Sequence, residues 1–99
     1  MTGLSRDELI RKIRDRLPEL RARFGVRSLG LFGSYSRGGA SGASDVDLLV
    51  EFERTPSLYE FGELEDALSD MLGAKVDLVM RSALKPAIGR RVLREVVPI

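Results

Sequence analysis

The sequence predicts a small mixed α/β domain in which helices pack on a short sheet. Three observations predict it. Apolar residues recur at helical spacing in three stretches, three short apolar runs are bounded by glycine or polar residues, and the order along the chain is helix, strand, strand, helix, strand, helix. Residues 1–99 suit one core, so a single domain is expected. Hydrophobic residues make up 43% and charged residues 31%, the composition of a chain that folds rather than stays disordered.

The first helix is expected from about Ser5 to Phe24. Ser5 and Glu8 form a capping box, and Leu9, Ile10, Ile13, Leu17, Leu20 and Phe24 form the apolar stripe. Pro18 lies inside it and predicts a kink or break near Leu17, while Gly25 supplies the stop. Val26 to Phe32 reads as the first strand. The tract Ser36–Ser44 holds only Ser, Gly, Ala and Arg37, too little apolar surface to bury, and reads as a loop.

The second strand, Asp45 to Phe52, is nearly continuous in apolar residues, as in an interior strand covered on both faces. After Pro56 and Ser57, the residues Leu58, Phe61, Leu64, Leu68, Met71 and Leu72 trace an amphipathic helix that ends at Gly73. Residues 75–80 read as a third strand. Leu84, Ile88, Val92 and Val96 predict a last helix over about 82–96, with Pro86 admissible in its first turn.

Composition narrows the chemistry. The chain has no cysteine and no histidine, which excludes disulfides, a thiol nucleophile, a zinc site of the usual nitrogen and sulfur kind, and any imidazole-dependent triad. Carboxylates, hydroxyls, backbone amides and arginines remain. No apolar run approaches the roughly 20 residues that span a bilayer, and the start lacks the apolar core of a secretion signal, so no membrane association and a cytoplasmic location are expected. The net charge of +1 hides a polarised chain: residues 1–27 hold eight basic and four acidic residues, 51–70 one and seven, and 75–99 six and two. Each cluster, including Arg90, Arg91 and Arg94, also reads simply as a solvated helix face.

The stretch from Gly33 to Asp47 concentrates the chemistry. Side chains alternate across a strand, so Asp45 and Asp47 share one face. Two carboxylates held that close repel and are costly to bury, and a divalent cation is their natural compensation. Mg²⁺ suits such a site, being held by one or two carboxylates together with waters and substrate phosphates. Gly33 and Ser34 follow a strand directly, where free backbone N–H groups, the Ser34 hydroxyl and the missing Cβ of Gly33 would admit a nucleotide phosphate. Asp77 interrupts the third strand, and if that strand lies beside the second, three carboxylates converge, enough for two metal ions. Arg37 reads equally as a phosphate contact or a solvated loop residue, and Asp77 also as a polar residue at a strand edge. Tyr35 and Tyr59 flank apolar segments and read as packing residues.

Gly33-Ser34, ten intervening residues and Asp45-Val46-Asp47 resemble the signature of the polymerase-β-like nucleotidyltransferases. Arg37, Gly38 and Ser44 resemble its small branch, the minimal nucleotidyltransferases that serve as antitoxins beside HEPN-type toxins. The resemblance covers about residues 5–96. It departs at Ser36, usually Ala, and over 39–43, which lack the charged residues or proline often found there.

The resemblance implies the polymerase-β-like fold, two Mg²⁺ ions held by Asp45, Asp47 and Asp77, and nucleotide phosphates held by Gly33 and Ser34. Asp77 would also help to deprotonate the acceptor. The implied reaction transfers AMP from ATP to a tyrosine hydroxyl of the HEPN-type toxin, in a complex with it. The helical acceptor domain of larger relatives has no counterpart here, so the acceptor is expected from another chain. The alternative is a binding module that neutralises the toxin by occlusion without catalysis. A transferase acting on nucleic acid is not expected, since no aromatic stacking platform is evident.

Overall fold

The computed structural model describes residues 5–33 and 46–99. Helix α1 spans Arg6–Phe24, strand β1 Val26–Phe32, strand β2 Val46–Phe52, helix α2 Leu58–Leu72 and strand β3 Val76–Met80. A 3-10 turn, Arg81–Ala83, leads to helix α3, Pro86–Glu95, and to a two-residue strand β4, Val97–Pro98.

Both long helices begin at reciprocal caps. The Glu8 N–H donates to Ser5 Oγ at 3.2 Å while the Ser5 N–H donates to Glu8 Oε1 at 3.0 Å. Ser57 and Glu60 repeat the arrangement at 3.1 and 2.9 Å. These backbone bonds hold the Glu8 and Glu60 carboxyls below the ordinary value of 4.5. At their other ends, Gly25 and Gly73 take the left-handed conformation, φ 72° and 65°, and their N–H groups close the last turns on Arg21 and Ser69.

Helix α1 runs through Pro18 as one element, so of the kink or break expected near Leu17 the break does not occur. A proline inside a helix costs about 3 kcal/mol. Ile13, Leu17 and Leu20, all buried, bracket it, and each buried aliphatic side chain returns about 1.5–3 kcal/mol. The stripe outweighs the missing hydrogen bond.

The sheet order is β3-β2-β1-β4. β1 pairs antiparallel with β2, β2 parallel with β3, and β4 antiparallel with β1 at Gly30 and Leu31. α1 and α2 cover one face, where Leu9, Ile13, Leu31, Leu48, Val50, Leu64 and Leu68 are fully buried. This is the mixed α/β sheet with helices packed on it that the sequence predicts.

Three expectations are corrected. The last helix starts at Pro86 rather than near Ser82, because a residue before proline is pushed out of the helical region, and Lys85 is extended, φ −67° and ψ 148°. Its expected stripe is only partly buried: Val92 is covered and Ile88 is 54% exposed. Leu58 and Tyr59, expected to pack, stand at the start of α2 with 89% and 75% exposure, one turn before the helix meets the core. Tyr35 lies outside the described residues. Strand β4 was not foreseen, and Gly30 makes room for it: a Cβ there would collide with the Val96 side chain. A glycine inside an apolar strand is the signal for such a close approach.

Candidate functional site

Asp47 stands second in β2, and the parallel register sets it directly beside Asp77 of β3. On its other side the antiparallel register places Phe32 of β1. Register partners in neighbouring strands present their side chains on the same face. Val46, Leu48, Val50, Val76 and Leu78 are buried under the helices, so Asp47 and Asp77 occupy the opposite face, Asp47 half-buried and Asp77 exposed. Adjacent strands lie about 4.8 Å apart, which brings the two carboxylates within reach of one ion.

Gly33 ends β1 at φ 76°, a conformation that L side chains avoid. A Cβ built there would strike Asp47 Oδ2 and come within 3.1 Å of its Cγ. The absence of that carbon therefore gives the Asp47 carboxylate its place. The sharp turn after β1 and the second residue of β2 form one cradle, since Phe32 and Asp47 are register partners.

Like charges directly opposite in a sheet destabilise it by about 0.2–1 kcal/mol. A hard divalent cation reverses that sign, and two carboxylates with waters and phosphate oxygens are an ordinary donor set for Mg²⁺. Asp47 and Asp77 thus fit the ion. Among the described residues no three acidic groups gather around one point. Of the predicted site residues, Gly33, Asp47 and Asp77 are brought together, while Ser34, Arg37 and Asp45 lie outside the described residues.

Farther along the same face, beyond Asp47, the side chain of Leu49 floors a shallow cleft of about 200 Å³ walled by Leu93 and Val96. Glu51 closes it, accepting from Ser28 Oγ at 3.1 Å and pairing with Arg81 at 3.2 Å. No sequence signal marked this group. Ser28, Glu51 and Arg81 lie 23 to 53 positions apart and are brought together by the pairing of β2 with β1 and β3.

With α1 and α2 on one face of the mixed sheet and two carboxylates in register on the other, the arrangement suits an enzyme that holds a metal ion against a nucleotide phosphate. A family model described as a nucleotidyltransferase domain matches residues 10–98, and the chain belongs to that family. It is 62% identical over 79 residues, 80% of each chain, to the protein adenylyltransferase MntA of Thermococcus cleftensis. Among solved structures it is similar to a minimal nucleotidyltransferase, with a TM-score of 0.83 and 36% identity over 100% of both chains. It is also similar to a chain of a complex between a tri-AMPylated HEPN toxin and an MNT antitoxin from Shewanella oneidensis. There the TM-score is 0.60 and the identity 25%, over 94% of this chain and 66% of the other.

Proposed function

We propose that this chain is a Mg²⁺-dependent protein adenylyltransferase that moves AMP from ATP to a tyrosine hydroxyl of a HEPN-type toxin and so acts as its antitoxin. The observation that carries the reading is the register of Asp47 with Asp77 on the open face, beside the Gly33 turn. The names of the relatives point to the same acceptor class. Residues 1–99 would serve as one nucleotidyltransferase domain, working in the cytoplasm in complex with the toxin.

In the proposed reaction the acceptor oxygen attacks the α-phosphorus of ATP. One P–O bond forms, the bond from the α-phosphorus to the α–β bridging oxygen breaks, and pyrophosphate departs with that electron pair. Bound Mg²⁺ supplies charge neutralisation at the phosphate oxygens and a lowered proton affinity at the acceptor oxygen. Asp45, Asp47 and Asp77 would hold it. Gly33 and Ser34 would bind the phosphates through backbone N–H groups and the Ser34 hydroxyl, with Arg37 adding a cation. The Asp77 carboxylate, which is exposed, would help to take the hydroxyl proton.

The test is to incubate the purified chain with ATP labelled at the α-phosphate, Mg²⁺ and a lysate of its source organism. A labelled protein band is expected, with the label on tyrosine when the band is digested and sequenced by mass spectrometry. Asp47→Asn should abolish the band while melting at the native temperature, and a persisting band would refute the reading. If a stably folded Asp47→Asn protein still protects cells from the toxin, neutralisation rests on binding instead.

A further inference from the structure

Among the described residues β3 is the last strand of the sheet, and one side of its backbone faces no other described strand. In a parallel pair, alternate residues turn their N–H and C=O groups toward the neighbouring strand. The Val46 N–H donates to the Lys75 carbonyl at 2.9 Å, which sets the phase: Lys75 and Asp77 bond toward β2, while Val76 and Leu78 face outward. Outward edge groups of this kind are ordinarily left to water or to another strand.

Here they are taken by side chains of α2. The Val76 N–H donates to Ser69 Oγ at 3.2 Å, and the Leu78 N–H donates to Glu65 Oε2 at 3.0 Å, both partly buried. The spacings match. Four residues rise about 6 Å along a helix, and two residues advance about 6.6 Å along a strand. Glu65 and Ser69 thus grip β3 immediately before and after Asp77, whose own backbone is held by β2. Ser69 also accepts the Gly73 and Ala74 N–H groups at its carbonyl, tying the end of α2 to the start of β3.

We propose that Glu65 and Ser69 are positioning residues for Asp77: they lock the edge strand in register so that its carboxylate stays opposite Asp47. The inference rests on the proposed metal-holding role of Asp77. A metal ligand is only as well placed as the groups that orient it, and losing such support commonly weakens metal binding or activity by about 10- to 100-fold.

The experiment compares Glu65→Met, Glu65→Gln, Ser69→Ala and Asp77→Asn with the native chain. Mn²⁺ binding is followed by electron paramagnetic resonance in the presence of a non-hydrolysable ATP analogue, beside transfer rate, melting temperature and hydrogen exchange at the Leu78 amide. Glu65→Met removes the acceptor at nearly constant volume and should weaken Mn²⁺ binding about tenfold, slow transfer at least as much, and expose the Leu78 amide to exchange. Glu65→Gln keeps an oxygen that accepts from Leu78 and should stay within about twofold of native. Ser69→Ala, the milder change should Glu65→Met not fold, should weaken Mn²⁺ binding a few-fold.

A merely structural role would lower the melting temperature and leave the Mn²⁺ affinity of the folded protein unchanged. That result for both Glu65→Met and Ser69→Ala, with Asp77→Asn impaired, overturns the inference alone. Native Mn²⁺ affinity and transfer in Asp77→Asn overturns the reading of Asp77, and this inference with it.

Discussion

Replacing Gly33 by alanine adds one carbon at the point where the structure has least room for it. Two costs follow. Holding an L residue at φ 76° costs about 1–2 kcal/mol. The new methyl also lands on the Asp47 carboxylate, which must swing aside and leave its rotamer well at about 0.5–1.5 kcal/mol. Together they lower stability by about 2–3 kcal/mol, or roughly 10–20 °C in melting temperature for a domain of this size. Gly73→Ala provides the control: its φ is 65°, yet no described atom lies within 4 Å of the added carbon, so only the backbone cost of about 1–2 kcal/mol applies. The two variants differ little in the strain they impose on the chain. They differ in what they do to the carboxylate.

An ångström of displacement at a reacting site costs about a hundredfold in rate. Transfer of labelled AMP, measured at a temperature where both variants are folded by circular dichroism, should therefore fall about a hundredfold in Gly33→Ala and remain near native in Gly73→Ala. Equal activity in the two folded proteins would refute the argument that Gly33 exists to leave space for Asp47.

Further outcomes are expected from the helices. Pro18→Ala restores a backbone donor at an exposed position of α1 and should raise stability by about 2 kcal/mol, seen as a higher urea midpoint with unchanged slope. An unchanged midpoint would mean that the helix already absorbs the proline without strain. Ser57→Ala breaks the second capping box and should cost about 1 kcal/mol at pH 7. The Glu8 and Glu60 carboxyls are held below 4.5 in the fold, so what they contribute is present above that pH and is lost as the pH falls through their lowered values. Glu60→Gln, which removes the titrating carboxyl, should accordingly lose less stability than the native chain between pH 5 and pH 3 in urea titrations, and an equal loss would argue against the cap.

The sequence alone determined the local parts. Helical spacing from Leu9 to Leu20 and from Leu64 to Leu72, the cap at Ser5, the stops at Gly25 and Gly73, and the apolar runs of β1 and β2 each express a balance struck within one segment, so each is legible there. The types of group open to the chemistry were legible too, since a chain without cysteine or histidine holds a hard cation through carboxylate, hydroxyl and carbonyl oxygens. The Gly-Ser and Asp-Val-Asp pairing at fixed spacing carried the family resemblance. Even so, an intact stripe concealed the true tolerance of Pro18, and periodicity alone misplaced the start of α3 and the packing of Leu58.

Tertiary structure decided the rest. That β3 lies parallel to β2 rather than against β1 is a choice among pairings of similar local propensity, settled by which helices can cover the resulting sheet. It sets Asp77 beside Asp47 across 30 positions of sequence. The same choice turns β4 onto β1 over a glycine, leaves Leu58 and Tyr59 beyond the edge of the core, and brings Glu65 and Ser69 onto the free side of β3. Hydrogen-bond register is a relation between segments, and a pattern read within one segment carries no record of its partner.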